Sequence, residues 1–417
     1  MIKTSLGEIT VRIFDGKHGD CVNEKGSGLY FISVKDLEEH EINYDNAREV
    51  TKKDFVQNYC RTLLEEGDTI YANTGDTIGK SVFIKNNPLV FCTSFQKSIA
   101  VLKPKNEIII PRYLYYLLKY ETPRLRKAAT GSGQKNLLLS TMREFPICIH
   151  SLNEQKKIVE ILGDIDDKIQ NNNKINDILE KQTKILYDYW FTQFDFPDEK
   201  GRPYTSSGGM MVWNEKIKRN LPLGWKVQTM TKNDLASIIK PGIKTFLEKT
   251  YYSTSEVIGT KILTGNKIKF DTRESRANMQ PTINSVWFAK MKNSIKHLFL
   301  NKDIIPIINT SILSTGFCGL QCSKESFEYI ASFIASPHFE NTKNILSHGA
   351  TQQAINNSDL TGIYLLIPNK QTLLNYHNIT KKNYSKINKN ILENIELAKL
   401  RDWLLPILMN GQATVSE

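Results

Sequence analysis

The sequence predicts an α+β protein in which two mixed α/β domains are separated by two long antiparallel coiled-coil helices and related by a pseudo-twofold internal repeat. Three observations support this prediction. Residues 151–194 have the pattern of one uninterrupted helix, a segment beginning at residue 131 recurs at residue 349, and a second helical pattern follows the recurrence. A helix that long needs a partner helix to cover its apolar seam, and the repeat supplies one.

The first long helix begins with a capping box and continues with a heptad pattern. Ser151 and Glu154 have the spacing at which side chain and backbone satisfy each other at a helix start. The predicted a row is Ile158, Ile165, Asn172, Leu179 and Leu186. The predicted d row is Ile161, Ile175 and Tyr189, interrupted by Lys168 and Gln182. Because a polar residue at an a position specifies register, we expect Asn172 to fix the pairing of the two helices.

An internal duplication constrains the fold most strongly. The segment GSGQKNLLLSTMREFPICI at 131–149 aligns without gaps with GATQQAINNSDLTGIYLLI at 349–367, an offset of 349 − 131 = 218. Gly131 matches Gly349, and Gln134 matches Gln352. A helical pattern follows each copy, in the second copy at Tyr384, Ile387, Ile391, Ile395, Ala398 and Leu405. The chain therefore contains two similar units, each made of a mixed domain and a long helix.

The composition favours a polyanionic partner. The chain has 55 Lys and Arg against 44 Asp and Glu, a formal charge of +11, which raises the expectation of nucleic-acid binding. Its 6 cysteines are scattered, and the one close pair, Cys318 and Cys322, has no second pair or nearby histidine, so we expect reduced thiols and no zinc site. No run of about 18 apolar residues occurs. We expect a soluble cytoplasmic protein without a membrane partner.

Composition shifts and the repeat divide the chain into six segments. These are a first domain (1–150), a long spacer helix (151–194), a connector (195–220), a second domain (221–368), a second spacer helix (369–410) and a tail (411–417). In the first domain, strands at 67–73 and 81–84 predict a hairpin. In the second, 286–290 and 297–300 predict the corresponding hairpin, and 304–308 a further strand.

No catalytic constellation is evident. The stretch GDTIGKS at 75–81 resembles a phosphate-binding loop, but it has three rather than four residues between its glycines and lies between strands. The Pro-Pro pair of a nucleic-acid methyltransferase site is missing, and the histidines lack metal-ligand spacing. We therefore expect a non-catalytic chain with no cofactor and no metal of its own.

Binding is the remaining function, and the duplicated loops 130–136 and 347–353 are its first candidates. They are polar and rich in Gly and Gln, and Gln can pair with the edge of adenine. A turn whose Gln caps the local backbone stays equally open. The candidate DNA-contacting residues are Lys17, His18, Lys35, Asn73, Thr77, Lys80, Lys97, Gln134, Lys135, Arg273, Arg276, Lys290, Lys292, His348, Thr351 and Gln352.

Aromatic residues near the ends of the two long helices suggest a second kind of contact. We expect part of this set to pack on a neighbouring domain and part to dock a partner subunit. The docking candidates are Tyr187, Trp190, Phe191 and Trp403.

Together these motifs resemble the specificity subunits of type I restriction–modification systems. The resemblance covers nearly the whole chain and is carried by YFISVKDL (30–37), residues 67–84, LNEQKKIV (152–159), LYDYWF (186–191), PYTSSGG (203–209), LPLGW (221–225), GATQQAINNSDL (349–360) and RDWLLP (401–406). It implies two target recognition domains, each reading half of a bipartite, asymmetric site in double-stranded DNA, with antiparallel helices acting as a ruler. It also implies recruitment of two methyltransferase subunits and of restriction/translocase subunits. S-adenosylmethionine, ATP and Mg then belong to those partners.

Two other interpretations remain open from the sequence. One is a scaffold that carries two protein-binding modules on a coiled coil and does not bind DNA. The other is the recognition chain of a different restriction architecture. Affinity for DNA that falls with salt would argue against the scaffold.

Overall fold

The structure, a computed structural model, describes residues 1–38, 41–45 and 47–413. It divides into two compact units: unit 1 comprises Met1–Gln170 and Ala398–Glu417, and unit 2 comprises Asn171–Leu397. Both long helices cross the boundary between the units, so each unit contains a segment of each helix. The end of the predicted tail, 414–417, lies outside the described residues. The predicted combination of mixed domains and two long helices is confirmed.

Unit 1 contains the first group of strands and helices. Its strands are β1 (Ile2–Ser5), β2 (Thr10–Asp15), β3 (Tyr30–Ile32), β4 (Arg48–Glu49), β5 (Thr69–Ala72), β6 (Ser81–Phe83), β7 (Thr93–Phe95), β8 (Ile99–Pro104) and β9 (Pro146–Ile149). Its helices are α1 (Lys52–Thr62), α2 (Pro111–Ala128) and α3 (Leu139–Glu144), followed by the start of the first long helix, α4 (Leu152–Tyr187). The predicted hairpin is present as β5 and β6, and α2 begins at Pro111, a residue favoured at the first helical position.

Unit 2 contains the second group. Its strands are β10 (Met211–Asn214), β11 (Arg219–Pro222), β12 (Lys226–Thr229), β13 (Ala236–Ile238), β14 (Lys249–Tyr252), β15 (Val257–Ile258), β16 (Lys261–Ile262), β17 (Asn266–Ile268), β18 (Ala277–Met279), β19 (Ser285–Ala289), β20 (His297–Leu300), β21 (Ser311–Ser314), β22 (Phe317–Cys322) and β23 (Tyr364–Ile367). Its helices are α5 (Ile305–Thr310), α6 (Phe327–Ile334) and α7 (Pro337–Leu346), together with most of the second long helix, α8 (Lys370–Met409).

The sheets show that the duplication extends beyond the repeated segment to several strand pairings of each domain. Unit 1 has a four-stranded sheet in the order β2-β8-β5-β6, and unit 2 repeats it as β13-β22-β19-β20. A parallel pair, β3 with β7, recurs as β14 with β21. The antiparallel pair β1 and β9 recurs as β12 and β23. The two domains therefore share these three arrangements, while the elements between them differ: unit 1 has α1 between β4 and β5, and unit 2 has β15 to β18 between β14 and β19.

Two neighbouring acidic residues of α4, the buried Asp166 and the partly exposed Asp167, bind cations within unit 1. Arg401 of α8 lies 3.0 Å from Asp166, and both side chains are almost fully buried. Arg112 of α2 lies 2.7 Å from the neighbouring Asp167, and Lys85 lies 2.6 Å from the same carboxylate. A buried charge must be paired to be tolerated, so the Arg401–Asp166 contact holds α8 against α4 within this unit.

Within unit 2, α4 and α8 run antiparallel along a polar seam. Asn172 Nδ2 donates to Asn394 Oδ1 at 2.9 Å, and Asn390 Nδ2 donates to Asn176 Oδ1 at 2.8 Å. The residue numbers of both pairs sum to 566 (172 + 394 and 176 + 390), so one helix ascends as the other descends. Such amide pairs tolerate burial because each satisfies a polar group of the other.

The predicted a row of α4 holds, but the predicted d row is wrong by one residue. Ile158, Ile165 and Asn172 are buried as expected, whereas Ile175 is 38% exposed and Tyr189 is 37% exposed. The second buried row is Leu162, Ile169, Asn176 and Thr183. Two of these four residues are polar, so the hydrophobic pattern could not reveal them.

The strand predicted at 304–308 is also wrong. These residues enter α5, with Pro306 in its first turn. Proline lacks the N–H that a strand inside a sheet must donate, whereas the first turn of a helix has no use for that donor. The backbone chemistry of proline therefore outweighs the apolar run.

Candidate nucleic-acid interface

In unit 1, strand ends bring loops from distant parts of the chain to one edge. Strands β2 and β5 both pair antiparallel with β8 and end beside its first residues. Strands β3 and β7 run parallel and end side by side at Ile32 and Phe95. Lys97 N donates to the carbonyl of Lys17 at 3.1 Å, which joins two of the following segments. We call this edge, formed by residues 16–18, 33–35, 73–80, 96–98 and 130–136, the rim of unit 1.

On this rim, the hairpin turn 73–80 and the duplicated loop 130–136 are bonded to each other. Gly75 N donates to the carbonyl of Lys135 at 2.7 Å. Thr74 forms an isolated β-bridge with Asn136. The loop is closed by two backbone hydrogen bonds between Thr130 and Asn136, at 3.0 and 2.7 Å. Two segments that the sequence singled out separately therefore form one surface.

Unit 2 carries the same pair of segments. Lys292 N donates to the carbonyl of Gln353 at 2.9 Å, and Met291 forms an isolated bridge with Ala354. His348 and Ala354 exchange backbone hydrogen bonds at 3.2 and 3.1 Å. Loop residues correspond at the offset of 218 and turn residues at 217 (292 − 75). We call residues 290–296, 315–316 and 347–354 the rim of unit 2.

Asn73 and Lys290 occupy equivalent inner positions of the two turns. Asn73 N donates to the carbonyl of Ser98 at 3.0 Å, and Lys290 N donates to the carbonyl of Gly316 at 2.9 Å. The Asn73 side chain is only 3% exposed. Its amide, oriented to donate, reaches the same Ser98 carbonyl at 2.7 Å. This corrects the prediction for Asn73, which holds the turn in place because its side chain is buried and bonded to the backbone.

Most of the other candidates in unit 1 lie exposed on its rim. These are Lys35, Thr77, Lys97, Gln134 and Lys135. Lys80 is also exposed, and its Nζ reaches back to donate to the carbonyl of Val34 at 3.3 Å. Partial burial of that ammonium lowers the pKa of Lys80, against the attraction of nearby acidic residues. The rim thus combines amide and hydroxyl groups with several lysines.

Lys17 and His18 lie at the side of the same rim and already have acidic partners. Lys17 Nζ lies 2.9 Å from Asp54, whose hydrogen bond raises the pKa of Lys17. His18 Nε2 lies 2.9 Å from Asp15, and its side chain is 62% exposed. A phosphate would therefore have to compete with a local carboxylate for either side chain.

In unit 2, Thr351 and Gln352 are exposed at the tip of the loop. The side chain of Lys292 donates to Gln353 Oε1 at 2.7 Å, which joins turn and loop a second time. His348 is 59% exposed and lies 3.5 Å from Asp359.

The two arginines predicted in unit 2 differ in position. The carbonyl of Arg276 accepts a hydrogen bond from Thr315 N at 2.8 Å, which places this residue beside the rim. Its guanidinium lies 2.6 Å from Glu274. Arg273 instead stacks over the ring of Phe270, 4.0 Å from its centroid, and donates to the carbonyl of the same residue. The contacts of Arg273 are therefore within its own loop.

The sequence reading missed the residues that support the two turns from behind. Arg126 of α2 donates from Nε to the carbonyl of Ile78 at 2.7 Å. In unit 2, Lys343 of α7 donates to the carbonyl of Ser294 at 2.9 Å. The helices that carry them end at Ala128 and Leu346, an offset of 218 that aligns Arg126 with Asn344, so the repeat alone could not have pointed to the two cations as a pair.

The predicted register residue and the predicted docking residues have different environments. Asn172 is 1% exposed and donates to α8, so its role in fixing register stays a prediction with suitable geometry. Tyr187, Trp190 and Phe191 are buried in the core of unit 2, which corrects their assignment as docking residues. There they pack against other aromatic side chains of this core, among them Tyr329 and Tyr376. Trp403 is 63% exposed and remains a docking candidate.

Two classes of site are missing from the described part of the chain. No group of three or more His, Cys, Asp or Glu residues is arranged there to hold a metal ion. Among the same residues, no helix has the length and apolar character needed to cross a membrane.

Comparisons with known proteins agree with the resemblance predicted from the sequence. Residues 19–181 match the family described as "Type I restriction modification DNA specificity domain". The chain is 27% identical over 413 residues to the type I restriction enzyme MjaIX specificity subunit of Methanocaldococcus jannaschii, covering 94% of this chain and 88% of that protein. It is 22% identical to the type I restriction enzyme HindI specificity subunit of Haemophilus influenzae, covering 94% and 93%.

A solved structure shows the same fold. The S subunit of a type I restriction–modification system from M. genitalium aligns with a TM-score of 0.51 and 15% identity, covering 98% of this chain and 96% of that one. The predicted resemblance is confirmed.

Proposed function

We propose that this chain, a member of the type I restriction–modification specificity family, reads a bipartite and asymmetric site in double-stranded DNA, with each unit reading one half-site. The observation that carries the proposal is the recurrence of one bonded turn and loop on both rims. A protein with two similar surfaces is suited to a target with two parts. Different side chains on equivalent backbones suit two different half-sites.

The chemistry of the rims supports DNA as the partner. Exposed lysines such as Lys35, Lys97 and Lys135 can neutralise phosphates, and such contacts position a protein without reading sequence. The exposed Gln134 and Gln352 can pair with adenine through two hydrogen bonds in the major groove. The net charge of +11 supports electrostatic attraction to the duplex.

The same proposal assigns catalysis to other subunits. Two methyltransferase subunits would bind S-adenosylmethionine and methylate adenine, and restriction/translocase subunits would use ATP and Mg. This chain would select the site and hold the partners together. Trp403, exposed on α8, is the candidate for a docking contact.

The direct test is a long-read methylome of the host with and without the gene. We expect deletion to remove one bipartite, asymmetric motif methylated at adenine, which would give both half-sites and their spacing. An unchanged methylome in a host that expresses active partner subunits would contradict the proposal. The scaffold interpretation would then be favoured, and the absence of salt-dependent DNA binding would support it.

A further inference from the structure

Each DNA-reading turn is held from behind by the helix that packs beneath it. In unit 1, Arg126 Nε donates to the carbonyl of Ile78 at 2.7 Å. Gly79, the next residue, packs so closely on Thr122 of the same helix that a Cβ at Gly79 would lie 2.3 Å from the threonine methyl. The helix therefore contacts the turn at two consecutive residues, one through a cation and one through close packing.

In unit 2 the corresponding helix holds its turn more firmly. Lys343 Nζ donates to the carbonyls of Ala289 and Ser294, at 3.2 and 2.9 Å. The next helix residue, Asn344, accepts a hydrogen bond from Asn293 N at 2.8 Å. These bonds span the turn from its first strand to its far side.

The lysine is part of a buried set of charged and polar groups. Its side chain is completely buried and lies 2.7 Å from Glu340 Oε2. The other oxygen of Glu340 lies 3.0 Å from His297 Nε2, and both of these side chains are less than 10% exposed. An ammonium is placed in such an environment only with partners that satisfy it. Here two of those partners are carbonyls of the turn and its strand.

We propose that Arg126 and Lys343 are positioning residues that set the conformation of the DNA-reading turns and thereby the base preference of each half-site. The proposal rests on the function proposed above. The two cations lie one position apart on corresponding helices, since α2 and α7 end at Ala128 and Leu346, an offset of 218 that pairs Arg126 with Asn344 and Leu125 with Lys343. Neither residue need touch a base, because each acts through the backbone carbonyls of its turn.

Two mechanisms predict different results for Arg126, which is exposed, so that its replacement should not prevent folding. A positioning role predicts that Arg126→Met relaxes base preference in one half-site and leaves the other unchanged. A direct phosphate contact predicts a uniform loss of affinity across sequences and a salt slope lowered by about 1. Lys127→Met is the matched control, since it removes the same charge from the next position of α2. Arg126→Lys, which keeps a cationic donor for the carbonyl of Ile78, should retain the preference.

The experiment selects from randomised duplex DNA with the complete complex, and it compares base preference at every position. For Arg126→Met we expect discrimination to fall about tenfold in one half-site, the order of one lost base contact. For Lys343→Met combined with Glu340→Gln, which avoids leaving a lone buried carboxylate, we expect the same loss in the other half-site. Equal losses in both half-sites, or a uniform loss of affinity, would overturn the proposal.

Hydrogen exchange on the DNA-free protein provides a second test, independent of the proposed function. In Arg126→Met, the amides of residues 74–80 should exchange faster, while those of β5 and β8 stay protected. Unchanged exchange in a folded variant would refute the positioning role of Arg126 even if DNA recognition were established. A wild-type complex that selects no motif would instead count against the proposed function alone. The exchange result would still show whether Arg126 positions its turn. If the unit 2 variant fails to fold, Arg126→Met decides both tests.

Discussion

The duplicated loops allow one substitution to be made twice, with a control inside the same loop. Gly131 and Gly349 have φ values of +126° and +132°, a region that residues with a side chain rarely adopt. A Cβ at either position would lie 2.5 Å from the carbonyl oxygen of the residue three positions later, Gln134 or Gln352. The obstructing atom belongs to the backbone, so it cannot move aside as a side chain could. Replacement by alanine must therefore open the loop.

The size of the effect follows from these contacts. Backbone strain of this kind costs about 1–3 kcal/mol. The two backbone hydrogen bonds that close loop 130–136 are each worth about 1 kcal/mol, and opening would weaken them. A local cost near 2 kcal/mol leaves the reading conformation about 30-fold less populated, at 1.4 kcal/mol per factor of ten. Because the loop is exposed, the global stability of the unit should change little.

The assay is selection from randomised duplex DNA with the complete complex. Gly131→Ala should weaken discrimination in one half-site about 30-fold, and Gly349→Ala should do so in the other. Gly133→Ala is the control, since its Cβ would meet open space and its backbone lies outside the left-handed region. The reasoning is refuted if Gly133→Ala matches Gly131→Ala, or if either loop variant relaxes both half-sites alike.

Three further predictions concern stability and reactivity. Arg401→Met should destabilise unit 1 by about 3–5 kcal/mol in urea unfolding, because it removes the cation paired with the buried Asp166, whereas Lys218→Met, which breaks an exposed pair, should have no measurable effect. Burial acts against ionisation of Asp167, but its two cationic partners lower its pKa to about 2 from 3.8. Its stabilising contribution is therefore present above 3.8 and lost as pH falls through 2, and Asp167→Asn should remove that part of the pH dependence of the urea midpoint. Burial raises the pKa of Cys318 to about 12, so iodoacetamide should label the exposed Cys60 in the native protein and leave Cys318 unlabelled, and mass spectrometry should show equal labelling only after unfolding.

Sequence reasoning succeeded for elements whose residue pattern has one main structural explanation. The capping box at Ser151 and Glu154 is present, with Glu154 N 3.4 Å from Ser151 Oγ. The hairpins and the repeat were also predicted, because alternating apolar residues and turn glycines leave few alternatives. The second buried row of α4 was missed. Two of its residues, Asn176 and Thr183, are buried through amide and hydroxyl pairing that apolar periodicity does not record.

The loops of the candidate site were predicted from the sequence, but the residues that support its turns were not. The loops were found because their sequence recurs, and the structure joins each of them to its turn. Asn73 was mistaken for a contact residue because sequence does not show whether an amide is satisfied by its own backbone. Arg126 and Lys343 could not be distinguished from other helix cations, since their importance depends on carbonyls more than 40 residues away in the chain.

The division of unit 1 between two parts of the chain has a consequence for synthesis on the ribosome. Residues 171–397 separate its two segments, and Arg401, Leu408 and Met409 complete its interior. At about 5–20 residues per second, roughly 11–45 s pass before the second segment is made. During that interval Asp166 lacks its guanidinium and the apolar face around Leu162 lacks its cover. Unit 2, which is contiguous, can finish folding first, so the domain translated first is the last to be completed.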